Sequence, residues 1–177
     1  MRWDEIEQLP CSIARSLSVV GDRWTLLVLR ESFLGVRRFE EFQQRLGMAR
    51  HRLTDRLNRL VEHEVLKRVV YQDKPPRYEY RLTEKGLGLY PVILSLVRWG
   101  DRWMDEGKGP PVVYRHKPCG RMTLPGQNCS SCGLELKARE VMAMIGPGLR
   151  GTPAKIQTPG QAPSGTTLTR KPTLVGR

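Results

Sequence analysis

Two short stretches of this chain carry the residue types that hold metals. "HKPCG" (116–120) and "CSSCG" (129–133) share one spacing: a ligand, two residues, a second ligand, then glycine. Each would place its pair, His116 with Cys119 and Cys129 with Cys132, on one tight turn, with the glycine relieving the backbone where the turn ends. Nine residues separate Cys119 from Cys129. Three thiolates and an imidazole are a ligand set of tetrahedral zinc, so the spacing predicts a structural Zn2+ site of the Cys3His type. So small a segment cannot hold itself together without the metal. A thioredoxin-like reading of "CSSC" would need a surrounding βαβ pattern, which is missing. Cys11 stands apart. A thiol near a helix start can be activated by a lowered pKa, or it can be merely a small apolar residue.

A second stretch, "MARHRLTDRLNRL" (48–60), could bind rather than ligate. Leu53, Leu57 and Leu60 recur at helical spacing and need a core. The same residues carry Arg50, His51, Arg52, Arg56 and Arg59, with only Asp55 to offset them. With Leu53 inward, steps of about 100° put His51, Thr54, Asp55 and Asn58 outward and gather Arg52, Arg56 and Arg59 on one flank. Outward polar groups can meet base edges while flanking guanidiniums meet phosphates.

The whole chain supports an anionic partner. Its 177 residues carry 30 Lys+Arg against 18 Asp+Glu, a net +12. The stretch after residue 145 holds five basic residues and no acid, which leaves +7 on residues 1–145. That balance favours nucleic acid. No apolar run approaches the roughly 20 residues that span a bilayer, so no membrane partner is expected. The opening "MRWDEIEQLP" has acids where a signal peptide would be basic and then apolar. The expected location is the cytoplasm, at the nucleoid.

Three regions position these residues. Residues 1–106 hold every Phe and Trp and show repeated helical periodicity. "GKGPP" (107–111) reads as a linker. Residues 112–145 carry the Cys knuckles, with "PVVYR", "RMTLPGQN" and "LELKAREV" as strand, hairpin and strand. Residues 146–177, rich in Gly, Pro and Thr, cannot bury enough surface to offset their ordering entropy and read as a disordered basic tail. Within the first region Ser12 is expected to cap one helix and Asp22 a second. "RRFEEFQQRL" forms a third, ending at Gly47, and the basic helix follows to about Glu64. "LKRVVYQ" and "RYEYRL" then form a hairpin around "DKPP". Thr83 is expected to cap one long last helix, whose Leu89, Ile93, Leu96, Val97 and Trp103 exceed what one small core requires.

Helix, turn, helix, hairpin is the order of a winged helix-turn-helix. The fold class expected is mainly α with a β-hairpin wing, plus a small β unit like a zinc ribbon. Lys74 and Arg77 at the hairpin tip, with Arg38, Arg50, His51, Arg52, Thr54 and Arg56, form the candidate DNA-binding set.

The blocks "CSIARSLSVVGDRWTLLVLRE", "RRFEEFQQRLG", "LTDRLNRLVEHEVLKRVVY", "PPRYEYRLTEKG" and "LVRWGDRW" resemble, in order and spacing, HxlR-type bacterial transcriptional regulators, relatives of MarR-type regulators. The resemblance covers about residues 9–105. It implies a homodimer joined through its N- and C-terminal helices, an operator-reading helix after Gly47 (about 49–63) and a wing at about 66–82. The surplus Ile93, Leu96 and Trp99 fit such a symmetric partner. Some members of that family use a cysteine at the position of Cys11 as a redox switch, so the resemblance also admits a redox or small-molecule effector. "MARHR" departs from it where a serine is common, and the operator sequence does not carry over.

Catalysis has no support in the chain. His51 and His63 lack a nucleophile partner, and Glu40 and Glu41 are adjacent and so do not face each other on a helix. The other function to weigh is a transcription-associated adaptor that uses the ribbon and basic tail to contact protein or RNA.

Overall fold

A computed structural model describes residues 10–147. Four helices come first: α1 (Ser12–Val20), α2 (Arg23–Phe33), α3 (Phe39–Leu46) and α4 (Arg50–Glu62). An antiparallel hairpin follows, β1 (Leu66–Gln72) with β2 (Arg77–Leu82), then α5 (Glu84–Leu87) and α6 (Tyr90–Trp103). A second sheet, in the order β4–β3–β5, is built from β3 (Val112–His116), β4 (Met122–Thr123) and β5 (Val141–Ile145). The fold is a winged helix with a small antiparallel unit after it. The tail expected from 146 lies outside the described residues from 148 onward.

Local chemistry explains most of the boundaries. Asp22 caps α2, its Oδ1 accepting from the amides of Trp24 (2.9 Å) and Thr25 (3.1 Å). Ser12 does not cap α1; Cys11 occupies the N-cap position and its side chain makes no capping bond. The last helix is two helices, not one. Thr83 caps only the short α5, its Oγ1 accepting from Gly86 N–H at 3.0 Å. Pro91 then sits in the first turn of α6, where its missing N–H leaves no bond unmade. "LELKAREV" is not a strand either. Glu135 bridges back to Asn128, Ala138–Glu140 form a 3-10 turn, and the third strand is "VMAMI".

The main core joins Val28 and Leu29 of α2, Phe42 of α3, Leu53, Leu57 and Leu60 of α4, Leu66 of β1 and Ile93 of α6. Each such side chain, fully buried, is worth about 1.5–3 kcal/mol of transfer free energy. Glu31 is a charge within this packing, 1% exposed. It is matched by Arg30 Nε at 3.0 Å and Arg45 at 3.3 Å, which ties α2 to α3. A second apolar cluster crosses the "GKGPP" segment. Tyr90 and Leu94 of α6 pack with Tyr114, Cys129, Leu136 and Val141. The C-terminal unit is therefore docked on α6, although the linker-like sequence suggests two separately folding pieces.

Candidate nucleic-acid interface and metal centre

Burying three leucines fixes the roll of α4 and so decides what it presents. Leu53, Leu57 and Leu60 are wholly buried, while Arg50, His51, Arg52, Thr54 and Asp55 are exposed. The arginines divide into two kinds. Arg50 lies over the Phe39 ring at 4.7 Å, and Arg52 faces solvent. Arg56 instead has its Nε 3.2 Å from Asp22 Oδ1. That Nε is buried and lacks an aligned hydrogen bond, so the contact is a charge pair. Arg59 donates to the carbonyl of Ser18 and so pins α1. Part of the positive flank that the sequence places on α4 thus holds the helix in position.

The wing is anchored at both ends. Arg38 and Glu79 form an isolated antiparallel bridge, and Tyr80 N–H donates to Arg37 O at 2.8 Å, adding a short third strand beside β2. Arg38 then lies over the Tyr71 ring at 4.6 Å with its Nε 3.7 Å from Glu79. Arg68 of β1 donates to Asn58 of α4, which ties wing to helix. Neither Tyr71 nor the Arg68–Asn58 link stands out in the sequence pattern, because both depend on the angle between hairpin and helix. Lys74 and Arg77 are exposed at the tip.

The four metal-type side chains converge. One ligand atom from each of His116, Cys119, Cys129 and Cys132 lies within 4.8 Å of every other. Nδ1 of His116 is 3.4 Å from Cys119 Sγ and 3.5 Å from Cys132 Sγ, and the Cys119 and Cys129 sulfurs are 3.8 Å apart. A tetrahedron with metal–sulfur bonds of ~2.3 Å and a metal–nitrogen bond of ~2.0 Å has edges of about 3.8 Å and about 3.5 Å. The donor set fits such an ion. The two knuckles share one hydrogen-bond pattern. Gly120 N–H donates to His116 O (2.8 Å) and Gly133 N–H to Cys129 O (2.9 Å), while the amides of His116 and Cys129 donate to Arg121 O and Leu134 O. Both glycines are left-handed, at φ 69° and 76°, a conformation costly for a residue with a Cβ. Burial pushes the Cys129 thiol up, but hydrogen bonds from the Ser131 and Cys132 amides and from Thr123 outweigh it and hold it down at about 6. At Cys132 a backbone hydrogen bond at Leu134 pulls the thiol down, but burial and the neighbouring sulfurs together outweigh it and shift it up. His116 Nε2 is buried with no hydrogen-bond partner among the described residues.

A third surface is apolar. Val92, Leu96, Trp99 and Trp103 stand 47, 48, 59 and 66% exposed along one stripe of α6. On α1, Ile13 and Leu17 are exposed as well. Ile93, expected to share this stripe, lies about 100° round the helix from Val92 and is already buried in the protomer's own core. Cys11 is an exposed free thiol at the head of α1.

A helix-turn-helix braced by a wing, with its charged helix turned outward, defines a winged-helix DNA-binding protein. The chain belongs to the HxlR-like helix-turn-helix family, which residues 19–108 match. It is similar to the uncharacterised HTH-type transcriptional regulator Rv3095 of Mycobacterium tuberculosis, 46% identical over 139 residues, 78% of this chain and 88% of that one. YdeP of Bacillus subtilis, an uncharacterised regulator of the same type, is 36% identical over 97 residues, 54% of this chain and 76% of its own. Among solved structures, PA1607, described as a transcription factor, superposes with a TM-score of 0.63 at 34% identity, covering 77% of this chain and 95% of its own. The protein ytcD, described as an HTH-type transcriptional regulator, gives 0.51 at 28% identity over 54% of this chain and 99% of its own. The greater coverage by Rv3095 and PA1607 extends the likeness past the winged helix into the C-terminal unit. The protein is a DNA-binding transcriptional regulator of the HxlR type.

Proposed function

We propose that the protein regulates transcription as a homodimer, each copy laying α4 in a major groove and its wing on the neighbouring backbone or minor groove. The observation that carries this reading is the exposed set Arg50, His51, Arg52 and Thr54 on a helix whose other face is wholly buried. On this reading His51, Thr54 and Arg50 meet base edges. Arg52, Arg38, Lys74 and Arg77 meet phosphate or minor groove, and Arg56 adds charge to the flank while bracing the helix against Asp22. The exposed stripes on α6 and α1 supply the dimer contact, with Leu96 and Trp99 central and Ile93 behind them as core. Cys11 is accessible for thiol chemistry with a redox effector.

His116, Cys119, Cys129 and Cys132 would hold Zn2+ structurally, since the ligand atoms match a closed tetrahedral site with no open position. The metal would fix the fold of residues 112–145 and supply no catalysis, and the protein acts as a regulator and not as an enzyme. Among the described residues no helix is long and apolar enough to cross a membrane, in keeping with action at the cytoplasmic nucleoid. A mobility-shift assay with the gene's own upstream DNA against random duplex tests the reading. A specific complex at least a hundredfold tighter than the random one is expected. Equal affinity for both, or tighter binding to RNA, would favour an adaptor built on the ribbon and the basic tail.

A further inference from the structure

The inner face of α6 and the C-terminal sheet do not close on each other completely. Between them, with α2 as a third wall, lies a cavity of about 420 Å³, within the size range of small-molecule sites. Its walls are mostly apolar and aromatic: Phe33 from α2, Tyr90, Leu94 and Val97 from α6, and Tyr114 and Val141 from the sheet. Three charged residues reach it, Arg30, Asp101 and Asp105.

Those charges are not equally available. Arg30 is committed to the buried carboxylate of Glu31. Asp105 Oδ1 accepts from Gly107 N–H at 3.0 Å, which closes the turn after α6. Among the described residues Asp101 has neither a hydrogen bond nor an ion pair, and the Tyr90 and Tyr114 hydroxyls have no hydrogen-bond partner. Burial pushes the Asp101 carboxyl up, and Asp105 adds to it. Burial likewise raises Tyr114 to about 12, with Asp101 adding to the shift and Arg30 opposing it; all three line the same cavity. In a protein of net +12, this pocket thus holds one unpaired carboxylate, Asp101, among aromatic rings, with Arg98 and Arg102 on its outer side.

We propose that the cavity is a binding site for a lipophilic cation, whose aromatic or aliphatic body fills the space beside Phe33, Tyr90 and Tyr114 and whose positive charge meets Asp101. Ring faces and a carboxylate attract the same sign of charge. The two tyrosine hydroxyls would accept or donate to whatever polar group accompanies it. The site needs both units, because Tyr114 and Val141 belong to the metal-knuckle segment and the rest to the winged helix. Its place also suggests a consequence. α6 carries the cavity on one face and the exposed Leu96, Trp99 and Trp103 on the other, and α2 begins at the Asp22 that holds Arg56 of α4. A ligand between α2 and α6 would therefore bias how two recognition helices are spaced; this last step rests on the function proposed above, whereas the binding does not.

Calorimetry on the full chain as purified, with tetraphenylphosphonium and tetraphenylborate as probes, tests the site. The two ions match in size and shape and differ in sign, and a basic protein left to non-specific attraction would prefer the anion. Saturable binding of one phosphonium per chain, at least tenfold tighter than borate, is expected. Asp101→Asn should weaken the phosphonium about tenfold, and Ala143→Phe, which fills the cavity from β5, should abolish it. Circular dichroism checks that both variants fold, and Asp101→Asn decides the matter if Ala143→Phe does not. Absence of saturable binding, a preference for borate, or full phosphonium affinity in Asp101→Asn would overturn the site. DNA affinity is read separately with and without phosphonium. A change supports the regulatory step and no change overturns it, while failure to bind DNA at all would remove the proposed function and leave the calorimetric outcome standing.

Discussion

Arg56 of α4 and Asp22 at the head of α2 meet with Nε 3.2 Å from Oδ1, so one carboxylate both caps a helix and restrains a guanidinium beside the surface proposed to face DNA. Asn at this position would still accept from the amides of Trp24 and Thr25, since Asn caps about as well as Asp. It would remove only the negative charge. Asp22→Asn should therefore leave the fold unchanged and release Arg56 toward phosphate, steepening the dependence of log affinity on log salt by about one unit. Asp22→Ala should in addition cost about 0.5–2 kcal/mol of stability through the lost cap. A salt slope equal to that of the wild type in Asp22→Asn would show that Arg56 stays away from DNA whatever its partner.

Wing and helix should separate in their effects on binding. Arg77 is exposed at the hairpin tip, and Arg77→Ala should weaken binding to all sequences alike and reduce the salt slope by about one. His51→Ala and Arg50→Ala should instead change which sequence is preferred, each by about 1–3 kcal/mol at one base pair. Titrating each variant against a panel of single-base operator changes gives both numbers. The reverse pattern would mean that the protein sits on DNA in another orientation.

Trp99 and Leu96 stand exposed on a stripe of α6 whose opposite face is core. A glutamate there would charge the proposed interface without disturbing the packing of the core. Leu96→Glu should give monomers in sedimentation at micromolar concentration, with normal helicity. Operator affinity should drop by a factor of about 10² or more, because two half-sites are no longer read together. A wild-type monomer at that concentration would remove the dimer from the proposal.

What the sequence revealed depended on how local the cause was. The α4 leucines, the Asp22 cap and the two glycine-ended knuckles are all short-range patterns, and each is where its spacing puts it. The errors have non-local or competing causes. Thr83 looks like the cap of a long helix until Pro91 restarts the count at α6. Ile93 looks like interface because one apolar stripe and the next lie about a quarter turn apart, and only packing distinguishes them. The docking of the C-terminal unit through Tyr90 and Leu94 was hidden because "GKGPP" reads as a boundary, whereas the contact that crosses it joins residues far apart in the chain.

That docking shapes what metal removal should do. Purified protein is expected to carry about one zinc per chain, and Cys129→Ser to lose it, because a closed Cys3His site has no spare ligand. With the metal gone, residues 112–145 should lose their hydrogen-exchange protection, since in so small a unit the binding free energy is the folding free energy. The loss should spread to the α6 face at Tyr90 and Leu94, which is covered by Tyr114, Leu136 and Val141. It should stop short of the Phe42 and Leu57 core, whose buried members all belong to the winged helix. Acid should act in the same direction. The Cys129 thiol is lowered from 9.0 to about 6 in the folded chain. A depressed acid of this kind stabilises the fold fully above its unfolded value, near pH 9, and that contribution is lost as pH falls through about 6. Zinc release followed with a chromophoric chelator should accordingly accelerate as pH falls, because protons compete with the metal for the thiolates and the imidazole. Persistence of protection at residues 112–145 in zinc-free protein would refute a structural metal, and unfolding of α2 to α4 upon chelation would show that the two cores are one cooperative unit.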